Sequence, residues 1–249
     1  MRIDKYLFEN RYTESRSKAA QLIKEGAVKV NGRIVDFASF DVKGDEEIEI
    51  DKSSVRYVSR GGLKLEGALD RFKIDVTGMK ALDIGASTGG FTDCLLTRGA
   101  RIVYAVDSGT LQLAEKLRND ERVVSIENFN ARDLSEVVTE GKCDIAVCDL
   151  SFISQTLIYP ALTRVLKEGG IFVSLIKPQF EVGKNAIGKG GIVRDAKARQ
   201  RAVEYVIMSA RTFGLVCNGY IESPIKGGDG NTEYLAYFTY VEGNLSVKE

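Results

Sequence analysis

Four residues far apart in the chain, Lys64, Asp149, Lys177 and Glu233, are of the types that move a proton off an alcohol. Lys64 falls on an early predicted helix, and the other three at ends of predicted strands. The chain contains no histidine, so base chemistry near neutral pH must use another side chain. A lysine held between carboxylates can fill that role. It acts as a base only in its neutral form, which burial and a nearby second cation favour. Lys64 is placed to be that cation, Asp149 to orient Lys177, and Glu233 to position Lys64 or the hydroxyl. A lysine or acid at a strand end is more often a solvated residue. Pro178 argues against that reading for Lys177, because it fixes the exit from the strand beside it.

A glycine-rich loop supplies the neighbouring feature. Asp83-Ile84-Gly85-Ala86-Ser87-Thr88-Gly89-Gly90-Phe91 joins a strand to a helix whose free N–H groups face an anion. The spacing is G-x-x-x-G-G, not the G-x-G-x-x-G of dinucleotide binders. Asp107 closes the next strand, 22 residues after Gly85, where an acid accepts hydrogen bonds from ribose hydroxyls. Asn130 follows the third strand, within reach of an adenine edge. Asp149, at the end of the fourth, faces the same crevice. The ligand that combines these parts is S-adenosylmethionine, held by the 83–91 loop, Asp107, Asn130 and Asp149. Its sulfonium methyl is already activated, so alignment and base assistance of about 10²–10⁴-fold remain for the protein.

Two rival chemistries share these residues. Asp149-Leu150-Ser151-Phe152 has the rhythm of the D-P-P-Y loop of enzymes that methylate base amino groups. Such a site needs a stacking aromatic and no lysine base, and Phe152 keeps it open. Cys148 suggests a thiolate that attacks a cytosine carbon, but its side chain should alternate away from Asp149 into the core.

Strands must hold these residues. They are expected at 80–85, 102–107, 122–126, 144–149 and 171–176, with helices at 62–72, 90–97, 111–118, 154–167 and 195–213. Continuous apolar strands alternating with helices predict a parallel, doubly wound sheet. Strands at 216–223 and 233–241 follow, joined by a loop too short for a crossover helix, so the last runs antiparallel. Such an α/β sheet with a reversed last strand is typical of Rossmann-like methyltransferases.

The first fifty residues differ. Helices are expected at 4–10 and 15–25, with Leu7, Phe8, Ala19, Ala20, Leu22 and Ile23 as their apolar stripes and Ser15 as an N-cap. Asn31-Gly32 between two short strands predicts a type I′ hairpin, with another strand at 46–50. This makes a small α+β domain at 1–52, a polar linker at 53–61 and a catalytic domain at 62–245. Lys plus Arg equals Asp plus Glu at 35 each, which argues against a uniformly basic nucleic-acid binder. Residues 1–35, however, carry eight Lys or Arg against four acids. Arg2, Lys5, Arg11, Arg16, Lys18 and Lys24, with Arg56 and Arg60 of the linker, are the candidate RNA contacts. The four cysteines lack metal-type spacing. With no apparent signal peptide and no run of ~20 apolar residues, a reduced, cytoplasmic protein is expected.

These residues resemble a known family along almost the whole chain. R-x-D-x-x-L, S-R-S-K-A and V-x-V-N-G within residues 2–50 resemble an S-four-type RNA-binding domain. YVSRGGLKLEG (57–67), LDIGASTGGF (82–91), DLSFIS (149–154), IKPQFE (176–181), GKGGIVRD (188–195) and GGDGNTEY (227–234) resemble the TlyA, or hemolysin A, family. That family is similar in its catalytic domain to FtsJ-type ribose methyltransferases. The resemblance implies a Lys-Asp-Lys-Glu tetrad on Lys64, Asp149, Lys177 and Glu233, S-adenosylmethionine at the glycine loop, and 2′-O-methylation of cytidine in ribosomal RNA. Some members carry a linker tryptophan and modify both ribosomal subunits. This chain has Arg56-Tyr57-Val58-Ser59 and no Trp, which favours the large subunit. A ribosome assembly factor with a residual cofactor site, a pseudouridine synthase and a hemolytic activity are the remaining readings. Nothing in the sequence supports a pore.

Overall fold

The computed structural model describes residues 1–24, 26–50, 56–183, 186–227 and 230–243, with the Lys24 side chain excepted. The Lys24 contact, residues 53–55 of the linker, the end of the second helix at 25 and the 245 boundary therefore lie outside the described residues. The chain divides into two compact units, Met1–Arg60 and Gly61–Glu249.

The first unit packs α1 (Ile3–Glu9) and α2 (Arg16–Lys24) beside an antiparallel sheet. Its strands are β1 (Val28–Val30), β2 (Arg33–Val35) and β3 (Ile48–Ile50), in the order β2-β1-β3. Asn31 and Gly32 both take positive φ, 50° and 73°, as a type I′ turn demands. Ser15 Oγ accepts the Lys18 N–H at 3.1 Å and caps α2. Ile3, Leu7, Ala19, Leu22 and Ile23 meet Val28 and Val30 in the core. Phe8 does not join them: it is exposed, because Leu7 and Ile3 already fill the buried face of a seven-residue helix.

The second unit opens with α3 (Gly61–Phe72). Five parallel strands follow: β4 (Lys80–Ile84), β5 (Ile102–Val106), β6 (Val123–Ile126), β7 (Cys143–Cys148) and β8 (Leu166–Ile176). Strands β9 (Leu215–Glu222) and β10 (Tyr234–Tyr240) complete a seven-stranded sheet of order β6-β5-β4-β7-β8-β10-β9. Strand β10 lies antiparallel to both β8 and β9. Helices α4 (Gly90–Thr97), α5 (Glu115–Arg118), α6 (Tyr159–Val165), α7 (Pro178–Glu181) and α8 (Ala196–Arg211) complete the unit. The core runs through Leu82, Ile84, Val106, Ala146, Phe172 and Phe238. Full burial of each large apolar side chain is worth about 1.5–3 kcal/mol.

Two helices are shorter than expected. The helix at 111–118 contracts to α5, because Leu111 takes φ 52° and its N–H goes to Glu127 Oε2 at 2.8 Å. The helix at 154–167 becomes a 3₁₀ turn, Gln155–Ile158, followed by α6. Leu166 leaves α6 directly into β8, which pairs there with Cys143. Among the described residues no helix is long and apolar enough to cross a membrane.

Candidate active site

The carboxyl ends of β4, β5, β7 and β8 converge on one rim. At the end of β4 the chain turns sharply at Gly85, with φ 82°. A Cβ there would stand 2.6 Å from the Asp149 carbonyl oxygen, so only glycine lets the loop pass the end of β7. The Asp149 N–H in turn donates to Ile84 O at 3.0 Å. Ser87 is also left-handed, at φ 48°, and its N–H donates to Asp107 Oδ2 at 2.8 Å. Asp107 Oδ1 accepts the Gly109 N–H at 2.7 Å. Asp107 thus ties two loops together, and each oxygen keeps a second lone pair.

A cavity of about 630 Å³ opens between these loops. Of the expected cofactor residues, Gly85, Ser87, Asp107, Asn130 and Asp149 line it. Asp83, Ala86, Thr88, Gly89, Gly90 and Phe91 do not. Gly89 caps α4, and its missing Cβ makes room for Leu117 and Leu113. Gly90 and Phe91 are buried in α4. Asp83 is fully buried, where Thr92 Oγ1 donates to it at 2.6 Å. Burial above all, then the charges of Asp149 and Asp107, push its carboxyl up to about 7. Its Oδ1 is buried without a hydrogen-bond partner. The loop's glycines therefore split into one that faces the cavity and two that serve packing. Gln112, Asn128, Phe129 and Ser151 line the cavity unforeseen. The Asn-Phe-Asn run closing β6 was the available signal.

The four candidate catalytic residues form two ion pairs. Lys177 Nζ lies 2.6 Å from Asp149 Oδ1. That contact is an ion pair outside good hydrogen-bond alignment, so Asp149 Oδ1 also counts as a buried oxygen lacking an aligned donor. Lys177 Nζ also donates to Ser151 Oγ at 2.8 Å. Lys64 Nζ donates to Glu233 Oε2 at 2.6 Å, with only 11% and 3% of the two side chains exposed. Lys64 is thus neutralised by Glu233 rather than free to act as a second cation on Lys177. The register of β10 joins the pairs: Tyr234 faces Ile176, so Glu233 and Lys177 leave adjacent strands at the same end.

Phe152 stands at the cavity rim, 89% exposed, with φ 68° and its ring 5.4 Å from that of Phe180. Positive φ on a bulky residue is rare and marks a constrained loop. Cys148 is fully buried, and burial pushes its thiol well above the ordinary range, so it offers no nucleophile. Among the described residues no cluster of metal-ligating side chains occurs.

In the first unit, Arg2 and Arg16 both donate to Asp4, at 3.0 and 2.8 Å from its carboxylate. Burial raises the Asp4 carboxyl, but bonds from Arg2, Arg16 and the Lys5 N–H outweigh it and hold it at about 2. Asp4 therefore orients two half-exposed guanidinium groups. Lys5 sits 3.5 Å from Glu9, Arg11 and Arg56 are exposed, and Lys18 and Arg60 are half-buried.

The FtsJ-like methyltransferase family matches residues 57–240, and the S4 domain matches residues 1–48. The chain is 47% identical to Hemolysin A of Brachyspira hyodysenteriae over 96% of this chain and 99% of that one. It is 43% identical to the 16S/23S rRNA (cytidine-2'-O)-methyltransferase TlyA of Mycobacterium tuberculosis, over 99% and 93%. The solved structure of a candidate hemolysin from Streptococcus thermophilus superposes with a TM-score of 0.78 at 43% identity, covering 98% of this chain and 90% of that one. With the family match spanning most of the chain and these identities running nearly end to end, the chain belongs to the FtsJ-like methyltransferase family and, within it, to the group of the TlyA and hemolysin A proteins.

Proposed function

We propose that this protein transfers a methyl group from S-adenosylmethionine to the 2′-hydroxyl of a cytidine in ribosomal RNA, large-subunit RNA being favoured. The observation that carries this reading is the Asp149–Lys177 pair at the rim of a nucleoside-sized cavity, 2.6 Å apart. The cavity residues fit the cofactor. Asp107 has free lone pairs for ribose hydroxyls, Asn130 has an amide for a base edge, and the Asp149 carboxylate suits a cation. When bound, S-adenosylmethionine supplies an electrophilic methyl whose sulfur keeps the electrons of the broken C–S bond.

The protein's own residues do the rest. Lys177 Nζ takes the proton of the attacking hydroxyl, and Asp149 stabilises the ammonium that forms. Glu233, leaving the strand next to that of Lys177, pairs with Lys64 at the same end of the sheet, outside the cavity lining. Phe152 offers a ring face on which the base of the target nucleotide stacks. The S4 domain supplies phosphate contacts through Arg2, Arg16 and their neighbours.

Phe152 also suits the base-amino alternative, so the product must be mapped. Purified protein, labelled S-adenosylmethionine and unmodified ribosomal subunits should yield label on the ribose of one cytidine. Lys177→Arg should lower the rate by about 10²–10⁴-fold, because a guanidinium does not give up its proton. Label on a base amino group, or near-wild-type turnover by Lys177→Arg, would overturn the reading.

A further inference from the structure

The segment after β7 is pinned more firmly than holding Asp149 requires. At its start the Asp149 N–H donates to Ile84 O. At its end Glu181, on α7, accepts from Ser154 Oγ at 2.6 Å and from the Gln155 N–H at 2.9 Å. Lys177 directly precedes α7. The segments 149–155 and 177–181 are therefore tied by three hydrogen bonds, two to Glu181 and one from Lys177 Nζ to Ser151 Oγ, beside the Lys177–Asp149 ion pair. Phe152, next to Ser151, holds a positive φ of 68°, which a loose loop would relax.

We propose that Ser151 is a positioning residue that fixes the direction in which Lys177 receives the substrate proton. This rests on the ribose-methylation reading above. An amine nitrogen on its carbon stem has three further bonding directions. Ser151 Oγ occupies one at 2.8 Å, and the Asp149 carboxylate, 2.6 Å away but off the hydrogen-bond axis, crowds the side beside it. A neutral Lys177 has two N–H bonds and one lone pair. With one N–H held by Ser151 and a second drawn towards the Asp149 carboxylate, the lone pair takes the third direction. The cavity lies beside that amine, lined by Asp149 and Ser151 themselves. Without Ser151 the amine turns about its last carbon–nitrogen bond, and the lone pair meets the hydroxyl for only part of the time.

The test compares Ser151→Ala and Ser151→Thr with wild type. Ser151→Ala should lower kcat about tenfold, the size of a lost alignment, with KM for ribosomal subunits and S-adenosylmethionine affinity within about twofold. Ser151→Thr, which keeps the hydroxyl, should restore most of kcat. A second readout needs no turnover. The isotope-labelled Lys177 ammonium signal, assigned with Lys177→Arg, should exchange slowly in wild type and Ser151→Thr and broaden away in Ser151→Ala. An unchanged signal and kcat in Ser151→Ala would overturn the role of Ser151. A raised KM at unchanged kcat would also overturn it, making Ser151 a substrate contact. A wild type that shows the signal but methylates no ribose would instead refute the parent reading.

Discussion

Gly85→Ala places a Cβ 2.6 Å from the Asp149 carbonyl oxygen and 3.3 Å from Leu150 Cδ2. The first contact must open by about 0.5–0.8 Å before it becomes an ordinary van der Waals distance. The backbone cannot relieve it by turning, because φ is already 82° and an L-residue there costs about 1–2 kcal/mol. Moving Asp149 also strains its N–H bond to Ile84 O, worth about 0.5–1.5 kcal/mol. The sum, about 1.5–3.5 kcal/mol, leaves a domain of ordinary stability folded. The chemistry should suffer more. Asp149 holds Lys177 at 2.6 Å, and a misplacement approaching 1 Å at such a pair lowers a rate by about 10²-fold. Urea denaturation should show the modest stability loss, calorimetry a weakened S-adenosylmethionine complex, and single-turnover transfer to ribosomal subunits the larger defect. A variant that is destabilised as expected yet transfers methyl at the wild-type rate would show that the Gly85–Asp149 approach does not set the catalytic geometry.

Three further outcomes follow from the same contacts. Asp83 binds a proton in the folded state up to pH about 7, against about 4 when unfolded, so its contribution is full below pH 4 and is lost as pH rises through 7. Wild type should therefore lose stability relative to Asp83→Asn between pH 4 and 7, and parallel denaturation curves would refute this. Glu233→Ala strands the buried Lys64 ammonium and should cost about 3–5 kcal/mol. Adding Lys64→Met should recover most of that stability without recovering methyl transfer, and strictly additive losses would argue against the pair. Asp107→Ala frees the Ser87 and Gly109 N–H groups together and should weaken S-adenosylmethionine binding by about tenfold or more. Equal calorimetric affinity would remove Asp107 from the ligand site.

The parallel strands were legible because β4, β5, β7 and residues 171–176 of β8 are largely buried and read as mainly apolar runs. The reversed β10 was legible from the short connection before it. Glycine roles were not. Gly85 and Gly89 look alike in the sequence, yet one makes room for the Asp149 carbonyl and the other for Leu113 and Leu117. Which side of a loop faces a ligand depends on packing partners far away in the chain. Asp83 misled for the same reason, since a polar residue at a strand end can point inward to a threonine on the following helix. The candidate tetrad was legible by type and partly by pairing, since Asp149 was expected beside Lys177 and Glu233 beside Lys64 or the hydroxyl; the choice of Lys64 was not legible, because it lies 169 residues from Glu233. The 111–118 helix failed because Glu127, from beyond the next strand, captures the Leu111 N–H.

Strand β10 has a consequence for timing. Its reversed direction brings Glu233, at its beginning, to the rim where the parallel strands end. The ion pair with Lys64 then closes a loop of 169 residues, a contact of very high sequence separation. During synthesis the RNA-binding unit, the glycine loop, Asp149 and Lys177 all emerge before Glu233 does. A nascent chain can thus present a nearly finished ligand pocket while Lys64 still lacks its partner. Docking of the penultimate strand in the sheet is what pairs Lys64 with Glu233, so on the proposed mechanism this part of the site is the last to form.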